Sequence, residues 1–185
     1  MRPLHRNLLI LAGCVALEAG APHAAFAQSD SDRATARSLG QDGEKALDAR
    51  DYKTAEDRFR RANSLVHAPT LLLGLARALA GEGKFVEAGE EYNRILREGV
   101  APGAPAAFRH ALEEAKKEVQ DVAPKIGGVT IMVKTAAGAD VPAPTVTVDD
   151  TPVNAASLGV RRLIDPGDHV FRATADGYKP GELRL

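Results

Sequence analysis

Between Ala36 and Val119 the apolar residues fall at helical spacing, and after Lys125 they fall on alternate positions, so the period changes once, from about 3.6 to 2. A polar lead-in, Ser29 to Asp32, precedes the first helical stretch, which carries Ala36, Leu39, Gly43, Ala46 and Leu47 on one side. Asp51 is placed to cap a second helix with Tyr52, Ala55, Phe59, Ala62 and Leu65 on one face. His67-Ala68-Pro69 breaks it, and Pro69 suits the first turn of a third helix, where its missing N–H costs nothing. Leu71, Leu72, Leu75, Ala76 and Leu79 give that helix a broad apolar stripe, closed by a turn at Gly81-Glu82-Gly83. Phe85, Ala88, Tyr92, Ile95 and Leu96 predict a fourth helix, with Gly99 as its C-cap. After a linker over 101–105, Ala107, Phe108, Ala111, Leu112, Ala115 and Val119 mark a fifth that ends before Pro124, with Glu113 and Lys117 as an i,i+4 pair on its wet face.

The second and fourth helices carry one phrase twice. Tyr52, Ala55 and Phe59 recur as Phe85, Ala88 and Tyr92, each displaced by 33 positions. A fixed period on helical sequence predicts stacked helix pairs, because a single pair cannot bury its own apolar face. The small residues Ala55 and Ala88 let paired helices approach, while Phe59 and Tyr92 wedge against the neighbouring pair; the fifth helix caps the stack.

Beyond Lys125, Val129, Ile131 and Val133 alternate with Thr130, Met132 and Lys134, and Val146 and Val148 alternate with Thr145, Thr147 and Asp149. Turns are predicted at Gly138, Asp149-Asp150 before Thr151-Pro152, Asp165-Pro166-Gly167-Asp168 and Asp176-Gly177. The outcome is a small antiparallel sandwich over 125–185, marginal in size by surface-to-volume scaling.

Residues 1–27 carry the marks of an export signal: Arg2, His5 and Arg6, an apolar run from Leu8 to Leu17, and a small-x-small cleavage site at Ala25-Phe26-Ala27. Cys14, the only cysteine, follows Leu11-Ala12-Gly13 in a segment that resembles a bacterial lipobox. Cleavage after Ala27 leaves a soluble exported protein; cleavage before Cys14 leaves one tethered to a membrane by lipid. Neither product carries a disulfide of its own.

Two resemblances organise the mature chain. Leu39, Gly43, Tyr52, Ala55, Phe59 and Ala62, and then Leu72, Ala76, Gly83, Phe85, Ala88, Tyr92 and Ile95, stand at positions similar to the helix-packing positions of the tetratricopeptide repeat. Val146-Thr147-Val148-Asp149-Asp150 before Thr151-Pro152-Val153, then Asp165-Pro166-Gly167-Asp168-His169-Val170 and Asp176-Gly177-Tyr178, resemble the PEGA domain, an immunoglobulin-like module of bacterial envelope proteins. The resemblances imply a multidomain protein, α then β: a signal peptide at 1–27, a short solenoid of about five helices over 28–124, and a PEGA-like antiparallel sandwich over 125–185. They imply a periplasmic or envelope location. In the repeat family the first helix of each pair lines an inner groove, which here implicates Arg37, Gln41, Glu44, Lys45, Leu73 and Arg77 in holding a protein or peptide.

Charge and chemistry narrow the function. Lys plus Arg (24) nearly balance Asp plus Glu (25), so no field draws nucleic acid or anionic lipid, and the absence of Trp argues against base-stacking platforms. His67, His110 and His169 lack a second histidine or cysteine at metal-ligand spacing, and no phosphate loop, dinucleotide fingerprint or nucleophile elbow occurs. Asp149-Asp150 with Asp140 upstream reads as a hairpin turn before it reads as a calcium loop. Glu87, Glu90 and Glu91 read as solvated helix charge. The basic stretch Arg50, Lys53, Arg58, Arg60 and Arg61 spreads over more than one face; part of it, with Arg77, is a candidate grip on an acidic peptide or carboxyl terminus. The expectation is a scaffold with no enzymatic activity, cofactor or metal. The alternative is binding of peptidoglycan or polysaccharide by the sandwich, for which only Phe171 and Tyr178 offer aromatic surface.

Overall fold

The computed structural model describes residues 29–185, so the export signal and Cys14 lie outside the described residues. Five helices come first: α1 (Asp30–Asp48), α2 (Tyr52–Leu65), α3 (Pro69–Gly81), α4 (Phe85–Glu98) and α5 (Ala106–Val122). Six strands follow: β1 (Gly127–Thr130), β2 (Thr145–Val148), β3 (Thr151–Val153), β4 (Arg161–Ile164), β5 (Val170–Thr174) and β6 (Gly181–Arg184). They form two antiparallel sheets, β1 with β4, and β3-β2-β5-β6.

Local chemistry sets the helix ends. Ser29 Oγ accepts from the Asp32 N–H at 3.0 Å while the Asp32 carboxylate accepts from the Ser29 N–H at 3.3 Å, a reciprocal cap that satisfies two donors of α1. The Asp51 carboxylate caps α2 through the Thr54 N–H, and Pro69 opens α3, as the sequence predicts. Gly99 ends α4 with φ 62. The α1–α2 turn contains no glycine; Arg50 itself takes φ 58.

Each helix packs on the next, and α3 also touches α1 and α5. That central position explains its composition. Leu72, Leu73, Leu75, Ala76, Ala78 and Leu79 of α3 are all buried, and full burial of each leucine contributes about 1.5–3 kcal/mol. The duplicated phrase plays the same part twice: Ala55 and Ala88 are fully buried, as are Phe59 and Tyr92, while Tyr52 and Phe85 are only partly covered. The Phe59 ring lies between two bare backbones. A Cβ at Gly43 of α1 would meet it at 2.9 Å, and one at Gly74 of α3 would overlap it further.

In the β unit the core is thin. Val146, Val148 and Phe171 are its only buried hydrophobics among the described residues. Asp149 and Asp150, with φ 49 and 64, form the two-residue turn that joins β2 to β3, since paired left-handed residues match the strands' twist. The expected first strand is shorter than its alternation: β1 stops at Thr130, and beyond it the chain is held by isolated bonds, Gly159 N–H to the Ile131 carbonyl and Val141 N–H to that of Val133. Side chains nevertheless keep alternating, with Val129, Ile131 and Val133 half-buried and Met132 exposed.

The two units touch at the start of α4. No side chain of its own segment caps this helix; Asp165, in the turn between β4 and β5, accepts from the Val86 N–H at 2.7 Å. Lys125 Nζ stands 4.9 Å from the centre of the Phe85 ring, and Ile126 packs against the helical core beside Gly89. One expected pair is replaced. Glu113 and Lys117 do not meet; Glu113 bonds Lys116 at 2.7 Å and Glu114 bonds Lys117 at 2.9 Å, both at i,i+3, which the helix surface accommodates equally well.

Candidate functional site

A groove of about 480 Å³ opens where α1, α3 and α5 come together. Helix α1 supplies Arg33, Arg37, Gln41 and Glu44, one per turn along one exposed face, as the helical repeat requires. From α3 come Thr70 and Leu71, and Phe108 of α5 closes one end. Gly40 makes the floor low: a Cβ there would stand 3.0 Å from Leu71 Cδ2. The result is an apolar base with polar and charged groups along one wall.

Arg37 is exposed, and its guanidinium has no acceptor among the described residues. Arg33 is held only loosely, 3.7 Å from Asp30. Among the described residues that line the groove the one acidic group is Glu44, whose carboxyl is pushed above its ordinary value by burial, with Arg77 pulling the other way and Asp48 adding to the rise. Such a wall suits a ligand carrying a carboxylate beside aliphatic groups.

The expected groove residues divide. Arg37, Gln41 and Glu44 line the cavity together. Lys45 points elsewhere and bonds Asp42 at 3.1 Å on the exposed side of α1. Leu73 lies in the helical core at 6% exposure, because it falls within the stripe by which α3 packs on its neighbours. Arg77 is already engaged. Its Nε lies 3.0 Å from both carboxylate oxygens of Glu118 on α5, its Nη2 approaches Glu114 at 3.5 Å, and Glu118 also accepts from the Tyr92 hydroxyl at 2.7 Å. Burial, followed by the bond to Glu118, drives the Tyr92 phenol far above its ordinary pKa, so it stays a donor.

Three arginines of the basic stretch, Arg58, Arg60 and Arg61, are engaged within the fold, while Arg50 and Lys53 are exposed. Arg60 bonds Glu56 at 2.6 Å and Glu87 of α4 at 2.7 Å, and Lys84 also reaches Glu56 at 2.6 Å. Arg58 and Arg61 both meet Asp57. Burial alone would raise the Glu56 carboxyl, but hydrogen bonds from Lys84 and Arg60 outweigh it and hold the group at about 2. As groove lining, Phe108, Leu71 and Gly40 carry no signal of their own: Leu71 and Phe108 fall on predicted apolar stripes, where nothing in the spacing distinguishes a groove wall from core.

In the β unit, Asp149 is used internally: its carboxylate receives the Val170 N–H at 2.8 Å and lies 2.6 Å from His169 Nδ1. Among the described residues no cluster of three or more His, Cys, Asp or Glu is placed to hold a metal ion, and no helix is long and apolar enough to cross a membrane. Tyr178 is 44% exposed at a cleft of about 270 Å³ with Lys134 and Thr135, whereas Phe171 is core and offers no face to a sugar. No family model matches the chain, and it has no match among curated proteins or solved structures.

Proposed function

We propose that the chain is an exported, non-enzymatic scaffold of the bacterial envelope. In this reading residues 28–124 are a tetratricopeptide-like module that holds a peptide, and residues 125–185 are a PEGA-like, immunoglobulin-type unit that serves as spacer or surface contact. The observation that carries it is the groove between α1, α3 and α5, where the guanidinium of Arg37, with no acceptor among the described residues, lines a cavity with an apolar floor. The equivalent burial of Ala55 with Ala88 and of Phe59 with Tyr92 supports the repeat. The ligand that fits is an extended peptide with an acidic side chain or terminal carboxylate for Arg37 and an aliphatic side chain for Leu71 and Phe108.

Fluorescence polarisation against a peptide library varied in acidic and aliphatic positions tests this. Acidic-aliphatic peptides bind saturably, and Arg37→Glu weakens them by about tenfold or more, the loss of one charge-assisted contact plus a new repulsion. No saturable binding, or equal binding by the variant, overturns the reading. Peptidoglycan fragments added to the same protein leave the tyrosine environment of Tyr178 unchanged; saturable binding there favours the carbohydrate alternative. Export is tested by mass spectrometry of the secreted chain: it begins at Gln28, or carries a diacylglycerol adduct on Cys14 if the lipid-anchored route is used.

A further inference from the structure

The four-stranded sheet has two unlike edges. At β3, Pro152 has no N–H to offer an incoming strand. At β6 the far edge has no partner among the described residues, and no proline or inward charge interrupts Gly181–Arg184.

The parity of the β5–β6 ladder fixes which groups of that edge are available. His169 and Leu185 exchange backbone bonds, His169 N–H to Leu185 carbonyl at 2.9 Å and Leu185 N–H to His169 carbonyl at 3.1 Å. Bonded and unbonded pairs alternate in an antiparallel ladder, so Phe171 and Leu183 form the next bonded pair. The N–H and C=O groups of Glu182 and Arg184 therefore point away from β5, toward solvent.

Side chains of β6 alternate as well. Leu183 shares the face of its cross-strand neighbour Phe171, yet it is 56% exposed, and Leu185 is 63% exposed, because β1 and its extension do not reach over them. Both border a cleft of about 370 Å³ with Met132. Glu182 and Arg184 lie on the opposite, charged face, where Arg172 bonds Asp150 and reaches Glu182 at 3.0 Å.

We propose that β6 pairs antiparallel with β6 of a second copy of this chain, Leu183 facing Leu183 across a two-fold axis. In that register Glu182 bonds, backbone to backbone, with Arg184 of the second copy, and Arg184 with its Glu182, so every outward amide and carbonyl of the two residues is used. Charge selects this register. The neighbouring ones that use the same outward groups set Glu182 against Glu182 or Arg184 against Arg184, and like charges directly opposite are unfavourable. The Asp150, Arg172, Glu182 row continues onto Arg184 of the second copy with its signs still alternating. On the other face the two Leu183 side chains close over each other, as the tighter spacing of an unbonded pair allows. The pairing is isologous, so it closes at two copies, and the edges left outermost are the two β3 strands, where Pro152 offers no N–H. One short strand per copy makes a small interface, and association is correspondingly concentration-dependent.

Sedimentation velocity of the full chain over a dilution series tests it, with hydrogen exchange at the same concentrations. A monomer–dimer equilibrium appears, and the amides of Glu182 and Arg184 exchange more slowly as dimer forms, whereas the amides of β3 do not change. Arg184→Glu and Glu182→Arg are each monomeric, while an equimolar mixture of the two regains a dimer, because each then supplies the charge the other needs. In a Cys14→Ser background, Leu183→Cys oxidises to a linked dimer, since the Cα separation of an unbonded pair, about 4.5 Å, lies within disulfide range. A chain that remains monomeric at its solubility limit overturns the proposal. So does a dimer that Arg184→Glu leaves intact, or one in which the Glu182 and Arg184 amides stay unprotected.

Discussion

Phe59 shows how one side chain fixes the spacing of three helices. Its ring fills the space that side chains at Gly43 and Gly74 would need, so the backbones of α1 and α3 both lie directly against the ring. Gly74→Ala forces the ring out of a fully packed site, and overpacking of this kind costs about 1–3 kcal/mol. Chemical denaturation followed by far-UV circular dichroism reads that loss, and Gly83→Ala, in open space with positive φ, gives a smaller one that comes from backbone strain alone. His169 ties the β2–β3 turn to the β4–β5 turn. Nδ1 faces the Asp149 carboxylate at 2.6 Å and Nε2 faces the Asp165 carbonyl at 2.8 Å, so both nitrogens meet acceptors and only the imidazolium donates to both. The bond to Asp149, followed by that to Asp165, raises the imidazole above its ordinary 6.5. A raised cationic group stabilises fully below its unfolded value and ceases to do so as pH rises through the folded one. Thermal melts of the β unit therefore move to lower temperature as pH increases above about 6.5, and His169→Gln removes the slope. Apolar residues such as Phe59 and Tyr92 were legible because burial repeats with the helix; His169 was not, since one of its partners, Asp149, comes from the β2–β3 turn 20 residues away.

Element by element, the helices were more legible than the strands. Apolar spacing, Asp51, Pro69 and Gly99 located all five helices, because caps and stripes are local to a segment. The contacts that bind helix to helix are remote in sequence and carried no periodic signal. Glu118 lies 41 residues from Arg77 and 26 from Tyr92, yet it receives hydrogen bonds from both. Glu118→Ala leaves a part-buried guanidinium and a buried hydroxyl without their acceptor, a loss of about 1–3 kcal/mol, while Glu118→Gln, which still accepts, loses less. Urea midpoints of the two variants check the order. The α2–α4 stitch through Glu56 has a pH signature of opposite sense to that of His169. A carboxyl held at about 2 contributes stability above the ordinary 4.5, and that contribution disappears as pH falls toward 2. Helical ellipticity of the wild type declines over that acid range, and Glu56→Gln starts lower and declines less. For the groove, the resemblance to the repeat family named Arg37, Gln41 and Glu44 together with Lys45, Leu73 and Arg77; the first three line one cavity, whereas Leu73 is buried in the helical core and Arg77 is captured by Glu118 of α5, contacts that no local pattern carries.

Taken as one molecule, the chain joins a well-buried helical stack to a β unit with a thin core, and the join decides whether the second can hold its shape. Val146, Val148 and Phe171 are few for a segment of this size, and a unit so small buries too little surface to be far from its unfolding threshold. What it gains from the helices is concentrated at the start of α4, where Asp165 takes the Val86 N–H, Lys125 covers Phe85 and Ile126 enters the helical core. The sequence marked Asp165-Pro166-Gly167-Asp168 as a turn, and it is one, but no local rule says that a turn caps a helix 79 residues earlier. Asp165→Ala removes a side-chain cap, worth about 1 kcal/mol, and combining it with Lys125→Ala also removes the cation over the ring. The helical stack keeps its own core in that double variant. Differential scanning calorimetry then resolves a low-temperature β transition ahead of an almost unshifted helical one, where the wild type melts with the two closer together. Equal downward shifts of both transitions would mean that the junction supports the stack as much as it supports the sheets.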